Sequence, residues 1–84
     1  MPGLLIGRIT HYFSNIMVCV VQADRPFTVG EKVRIQGGTR HFEQTVDSLQ
    51  VESVNVKRAK KGQLVGLKVR QACREGDLIY RLKK

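Results

Sequence analysis

Tryptophan is missing from this 84-residue chain, and two Tyr and three Phe are its only aromatic residues besides histidine. A core without many large rings has to be assembled from Val, Leu and Ile, and β-branched residues of that kind favour strands. Cysteine is scarce too. Cys19 and Cys73 lie 54 positions apart and belong to no C-x-x-C pair. With His11 and His41 at unhelpful spacings they cannot supply the four closely arranged ligands of a structural zinc site. Each sits in or near an apolar run, where a free thiol behaves as a small hydrophobe; buried reduced cysteine is the expectation, and one disulfide is the alternative. Long apolar runs are lacking as well. The opening stretch MPGLLIGR has no apolar segment of signal-peptide length, and nowhere do roughly 18 apolar residues run together. A soluble cytoplasmic protein, with no membrane partner, is the simplest expectation.

Acidic residues are the last shortage. Seven Asp plus Glu face fifteen Lys plus Arg, a formal charge of +8 on 9.5 kDa. Such an excess attracts polyanions, and RNA or a ribonucleoprotein surface is the expected partner; plain solubility is the competing reason for the charge. The length suits one domain over residues 1–84. A domain this small buries only roughly 60% of the surface its unfolded chain exposes, so nearly every apolar position has to serve one core.

Along the chain the pattern is that of strands. Residues 4–12 read as a first strand with a close-packing or bulge glycine, Gly7. After the polar break Ser14-Asn15, residues 16–21 are almost uninterruptedly apolar, and the two segments suggest a hairpin. Asp24-Arg25-Pro26 is a turn. In residues 32–36 the alternation puts Val33 and Ile35 on one face, and Gly37-Gly38 ends the strand. Residues 42–56 are mixed. A helix over 42–49 is conceivable, but Val51, Val54 and Val56 read as strand, and two strands with a kink or bulge near Ser53 are preferred. Residues 57–62 form a cationic turn. Residues 63–70 follow with Val65, Leu67 and Val69 inward and Lys68 and Arg70 outward. Gly76-Asp77 makes another turn, and residues 78–82 close the fold before Lys83 and Lys84. Glycine turns at intervals of about 10 residues describe an all-β fold, a small closed β-barrel of six or seven strands.

Four segments in order, FTVGEKVRI (27–35), FEQTVDSL (42–49), Val56 with AKKGQLVGL (59–67), and REGDLI (74–79), resemble the second domain of elongation factor Tu and of other translational GTPases. The chain resembles the barrel that ends some U32-family peptidases about as well. Either resemblance implies the barrel, with Gly62 supplying a tight turn and Gly66 admitting a neighbouring backbone. The phosphate-binding G-x-x-x-x-G-K-[ST] segment of a GTPase is absent, as is a peptidase region.

Catalysis needs a nucleophile with a base, paired carboxylates or a metal cluster. His11 and His41 read as surface or strand-edge histidines and Asp77 as a turn residue, so no catalytic residue, metal site or cofactor is assigned. The basic positions are the candidate site: Lys57, Arg58, Lys60 and Lys61 on a turn, with Lys68 and Arg70 extending the patch along the barrel wall. Tyr12, Phe13 and Tyr80 could serve as stacking platforms, whereas Phe27 and Phe42 belong to the core. The sequence therefore reads as a non-catalytic module that binds RNA or a ribosome-associated surface. The alternative is an accessory domain docking on a larger enzyme of the U32 type, whose catalytic domain a protein partner would carry.

Overall fold

The computed structural model describes residues 3–82; the expected ragged end at Lys83 and Lys84, and the first two residues of the MPGLLIGR stretch, lie outside the described residues. Ten strands are present: β1 (Leu4–Phe13), β2 (Val18–Ala23), β3 (Phe27–Thr28), β4 (Lys32–Gly37), β5 (Arg40–Thr45), β6 (Leu49–Val51), β7 (Val54–Val56), β8 (Arg58–Ala59), β9 (Leu64–Lys68) and β10 (Leu78–Arg81). Among the described residues there is no helix, which removes the one conceivable over 42–49. Eight strands form a single antiparallel sheet in the order β5-β4-β10-β1-β2-β9-β6-β7, and β3 pairs with β8 as a separate ribbon.

Alternation along each strand sends one set of side chains into one core. Ile6, Ile9, Val21, Phe27, Val33, Ile35, Leu49, Val65, Leu67 and Ile79 are each at most 1% exposed. Ile6 and Ile9 are three apart and both point inward because β1 slips register twice, between Leu5 and Gly7 against β10 and between Ile9 and His11 against β2. Each slip inserts a residue and bends the strand. Gly7 sits at the first bend, where a Cβ would lie 2.8 Å from the Gln22 carbonyl oxygen and 2.9 Å from Val21 Cγ1. The expected close-packing role is therefore met.

The expected closed barrel of six or seven strands is not found. The outer strands β5 and β7 do not pair with each other, so the ladder stays open. The reason is Val46. Its amide donates to the Glu31 carbonyl at 2.8 Å and its carbonyl accepts from the Gly30 amide at 2.9 Å, which takes the chain out of β5 toward the β3–β4 turn. β6 then begins only at Leu49, opposite Leu67, and the end of β9 is left without a strand beside it. The Lys68 carbonyl and the Arg70 amide face that gap. Gln44 fills it: Nε2 donates to the Lys68 carbonyl and Oε1 accepts from the Arg70 amide, both at 2.9 Å. The two backbone partners fix the amide's orientation, and Gln44 is 3% exposed.

Two further expectations are corrected. Ile16 lies in the four-residue β1–β2 turn rather than in a strand, because Met17 is left-handed (φ 56°), and Ile16 is exposed. The region after β5 holds a separate hairpin, β6–β7, whose two-residue turn Glu52-Ser53 has φ values of 51° and 68°. A hairpin of this length needs left-handed residues to match the strand twist, so the expected kink near Ser53 is a complete reversal.

Replacing Gln44 with Leu keeps the volume but strands two buried backbone groups, at about 1–3 kcal/mol each. Chemical denaturation should show a loss of about 3 kcal/mol. Amide exchange should speed up first at Arg70, and an Arg70 amide as protected as in the parent would refute the role given to Gln44.

Candidate functional site

Three turns on this sheet share one local design. Thr28-Val29-Gly30-Glu31, Lys60-Lys61-Gly62-Gln63 and Arg74-Glu75-Gly76-Asp77 each close with the fourth amide donating to the first carbonyl, at 3.3, 3.0 and 3.1 Å. The third residue is in each case a glycine with positive φ, 98°, 86° and 91°, as a type II turn requires. The fourth side chain then reaches back to accept the first residue's amide: Glu31 Oε2 at 2.7 Å, Gln63 Oε1 at 2.8 Å and Asp77 Oδ2 at 3.0 Å. The sequence carries the signal three times, as VGE, KGQ and EGD.

The second of these turns presents cations. Gly62 has the turn role expected of it, and its amide donates to the Ala23 carbonyl at 2.7 Å, pinning the turn to the end of β2. Arg58 stands on β8 opposite Thr28, and the Lys57 carbonyl accepts from the Val29 amide. Lys57, Arg58, Lys60 and Lys61 are all exposed, and among the described residues none has a carboxylate within 4 Å. Lys61 also borders a cleft of about 430 Å³ with Leu4, Leu5, Asp24, Arg25 and Pro26. Arg25 thus joins this end of the molecule; the sequence offered it only as part of a turn.

Lys68 and Arg70 are exposed as expected but stand elsewhere. β9 pairs with β2 from Leu64 opposite Gln22 to Lys68 opposite Val18, so Lys68 is roughly 15 Å along the sheet from the Gly62 turn. Arg70 is paired with Asp47 at 2.9 Å. Between the two basic ends the outward positions of β9 are Leu64 and Gly66, both apolar. The continuous basic wall inferred from the sequence is therefore interrupted.

What lies between is an apolar outer face. Cross-strand pairing sets His11 beside Val20 and Gly66, and Phe13 beside Val18 and Lys68. Phe13, Ile16 and Leu64 are 43%, 55% and 58% exposed. A groove of about 270 Å³ runs through this face, lined by Ile16, Val18, Ser48, Gln50, Gly66 and Lys68. Gly66 does not admit a neighbouring backbone of its own chain, because a Cβ there would meet nothing nearer than Val18 Cγ1 at 3.6 Å.

Of the suggested platforms, Phe13 is exposed with its ring edge-on to His11 at 4.4 Å. Tyr12 turns inward against the core, its hydroxyl 3.2 Å from Met17 Sδ, and cannot stack with an external base. Tyr80 is half-buried between Arg34 and Leu5. Phe27 is core and Phe42 packs against it, as expected. His11 Nδ1 lies 3.3 Å from Glu75 Oε2 at the surface, and His41 is exposed opposite Gln36. Asp77 is 8% exposed and occupied by its turn, with Arg40 at 3.7 Å. Among the described residues no three His, Cys, Asp or Glu side chains gather around a common point.

No family model matches the chain. It is 34% identical over 80 residues to an uncharacterised protease of Methanocaldococcus jannaschii, a match spanning 94% of this chain but only 20% of the relative. Two crystal structures of the C-terminal domain of a Geobacillus thermoleovorans protein described as a U32 peptidase share the fold. One aligns with a TM-score of 0.89 at 19% identity, covering 95% of this chain and 93% of that one; its selenomethionine variant gives 0.87 at 20%, over 92% and 98%.

The two glycines of the sheet should respond oppositely to alanine. Gly7→Ala forces a Cβ onto backbone and should cost about 2 kcal/mol. Gly66→Ala has room and should change stability by no more than about 0.5 kcal/mol, measured by urea denaturation. Equal losses at both sites would mean that Gly66 is a packing glycine after all.

Proposed function

We propose that this chain is a non-catalytic accessory domain that packs on a larger protein of the U32-peptidase type. The observation that carries the reading is the asymmetry of the match: nearly all of this chain corresponds to about a fifth of the relative, whose remainder has no counterpart here. The likeness to the isolated C-terminal domain of a described U32 peptidase supports it. The apolar face around Phe13, Ile16 and Leu64 is the contact, since clustered exposed apolar residues are what protein interfaces bury. The flanking cations, Lys57, Arg58, Lys60 and Lys61 at one end and Lys68 at the other, steer an acidic partner surface onto it. A domain exchange tests this. This chain would replace the matched segment of the M. jannaschii protease, and Phe13→Asp with Ile16→Asp would be added in a second version. The first chimera should unfold in one transition with the outer face protected from amide exchange, and the second in two. Independent unfolding and an unprotected face in the first chimera would rule out docking.

A second reading, RNA binding, is supported by the +8 charge and by the carboxylate-free cluster of Lys57, Arg58, Lys60 and Lys61. The sequence resemblance to translational GTPase second domains points the same way. Fluorescent transfer RNA and duplex DNA of equal length would be titrated at low and near-physiological salt. RNA-preferring binding that survives the higher salt and weakens at least tenfold on replacing the four cations with Ala would favour this reading. Equal binding to both that vanishes with salt is generic counterion release and removes it.

A further inference from the structure

Residues 69–77 run without regular structure between β9 and β10, yet both ends are tied to the β1–β2 hairpin. The Val69 amide donates to the Met17 carbonyl at 2.9 Å. At the other end the Gly76 amide donates to the Ile9 carbonyl and the Ile9 amide to the Asp77 carbonyl, both at 2.8 Å. The loop is thus an arch over the hairpin. Its middle dips inward: Cys73 is 4% exposed and belongs to the same core as Cys19, which is fully buried on β2. Two thiols separated by 54 positions in the chain become neighbours.

Their environments differ in a useful way. The hydrogen bond from the Cys19 thiol to the Cys73 sulfur holds Cys73 below the ordinary thiol range, and the nearby Arg40 guanidinium works in the same direction, against burial and the Asp77 carboxylate. The same pairing pushes Cys19 up, and full burial adds to it. Cys73 is therefore the nucleophile and Cys19 the resolving thiol. Cys73 is also the one on the irregular segment. A disulfide requires the sulfurs to close to about 2.05 Å, and a segment without a ladder can make that movement where a central strand cannot.

We propose that Cys19 and Cys73 form a redox-active dithiol that low-molecular-weight disulfides oxidise, pinning the arch of residues 69–77 to β2. The Cys73 thiolate attacks one sulfur of the small disulfide; a Cys73–sulfur bond forms, the small disulfide's bond breaks, and one thiolate leaves with the electron pair and is protonated. Cys19 gives its proton to solvent and attacks the Cys73 sulfur. The intramolecular disulfide forms and a second small thiolate leaves. Two protein thiols are oxidised and one small disulfide is reduced to two thiols. An excess of small thiol reverses the sequence.

The state of the pair reaches beyond the arch itself. Arg40 donates to the Ala72 carbonyl at 3.2 Å and pairs with Asp77, and the Arg70 amide is held by Gln44. Fixing Cys73 restrains all of these at once.

The test incubates the folded protein with oxidised and reduced glutathione at stepped ratios and reads intact mass and peptide maps. The expected product is a monomer lighter by two hydrogens, with a Cys19–Cys73 cross-linked peptide, a melting temperature raised by at least roughly 5 °C, and slower amide exchange at Ala72 to Asp77. Cys19→Ala should stop at a glutathione adduct on Cys73, whereas Cys73→Ala should stay unmodified. Thiols that remain reduced at every ratio, disulfides only between chains, cross-linking only in denaturant, or a fall in melting temperature on oxidation would each overturn the proposal. The parent protein alone supplies the first four readouts, so a variant that fails to fold does not remove the test.

Discussion

The hydrogen bonds of one buried amide complete this fold. An eight-stranded sheet that curls around a single core but does not close its ladder must leave a seam, and the seam here falls beside the end of β9. On either side of Val69 a carbonyl and an amide point into it, the pattern that a neighbouring strand would satisfy. A primary amide is the side chain most like a peptide unit, with an acceptor and donors a few ångströms apart. Gln44 therefore stands in for the missing strand. Val69 can stay in the core, Arg70 is placed to meet Asp47, and the arch over the β1–β2 hairpin starts from a fixed point. An apolar residue at 44 could fill the volume but could not supply the pairing.

The ends of the sheet are held by a different and wholly local device. Each of the three glycine turns returns its fourth side chain to its first amide, so that a donor left over by the turn is satisfied within four residues. The logic is that of a capping box transferred from a helix to a β-turn. It matters for the cations: Lys60 and Lys61 ride on a turn clamped by Gln63 and anchored to Ala23 rather than on a loose loop. A partner that engages them has little backbone freedom left to remove, and that lowers the entropic cost of binding.

Much of this was legible in the residues. The alternation of residues 32–36, the bend at Gly7, the turn at Gly62, the inward Val65, Leu67 and Val69, and the burial of Phe27 follow from period and glycine chemistry alone. Gln44 was legible in part, since it stands in phase with Phe42 and Val46 and alternation sends it inward. What alternation cannot give is the partner it meets there, because Lys68 and Arg70 are more than 20 positions away. The same limit explains the open ladder, which follows from where Val46 finds its bonds. The β6–β7 turn was hidden because Glu52 and Ser53 are not the residues usually chosen for left-handed positions. The basic patch failed for a simpler reason. Adjacent residues along a strand are separated by a fixed rise, and Lys68 was always going to stand well away from Lys61.

That separation bears on what the molecule can hold. A groove that tracks a phosphate backbone needs cations at regular intervals along its path. Here the path from the Gly62 turn to Lys68 crosses Leu64 and Gly66, flanked by Val18 and by the exposed rings and side chains of Phe13 and Ile16. An apolar centre with charge at its margins is the arrangement of a protein interface, where the centre excludes water and the rim sets orientation. Gly66 fits the same picture. Its own chain does not crowd it, and glycine weakens a strand interior, so its presence is costly unless something from outside comes close. A backbone or side chain of a docked partner, seated in the groove between Ile16 and Gln50, is what would make use of the room.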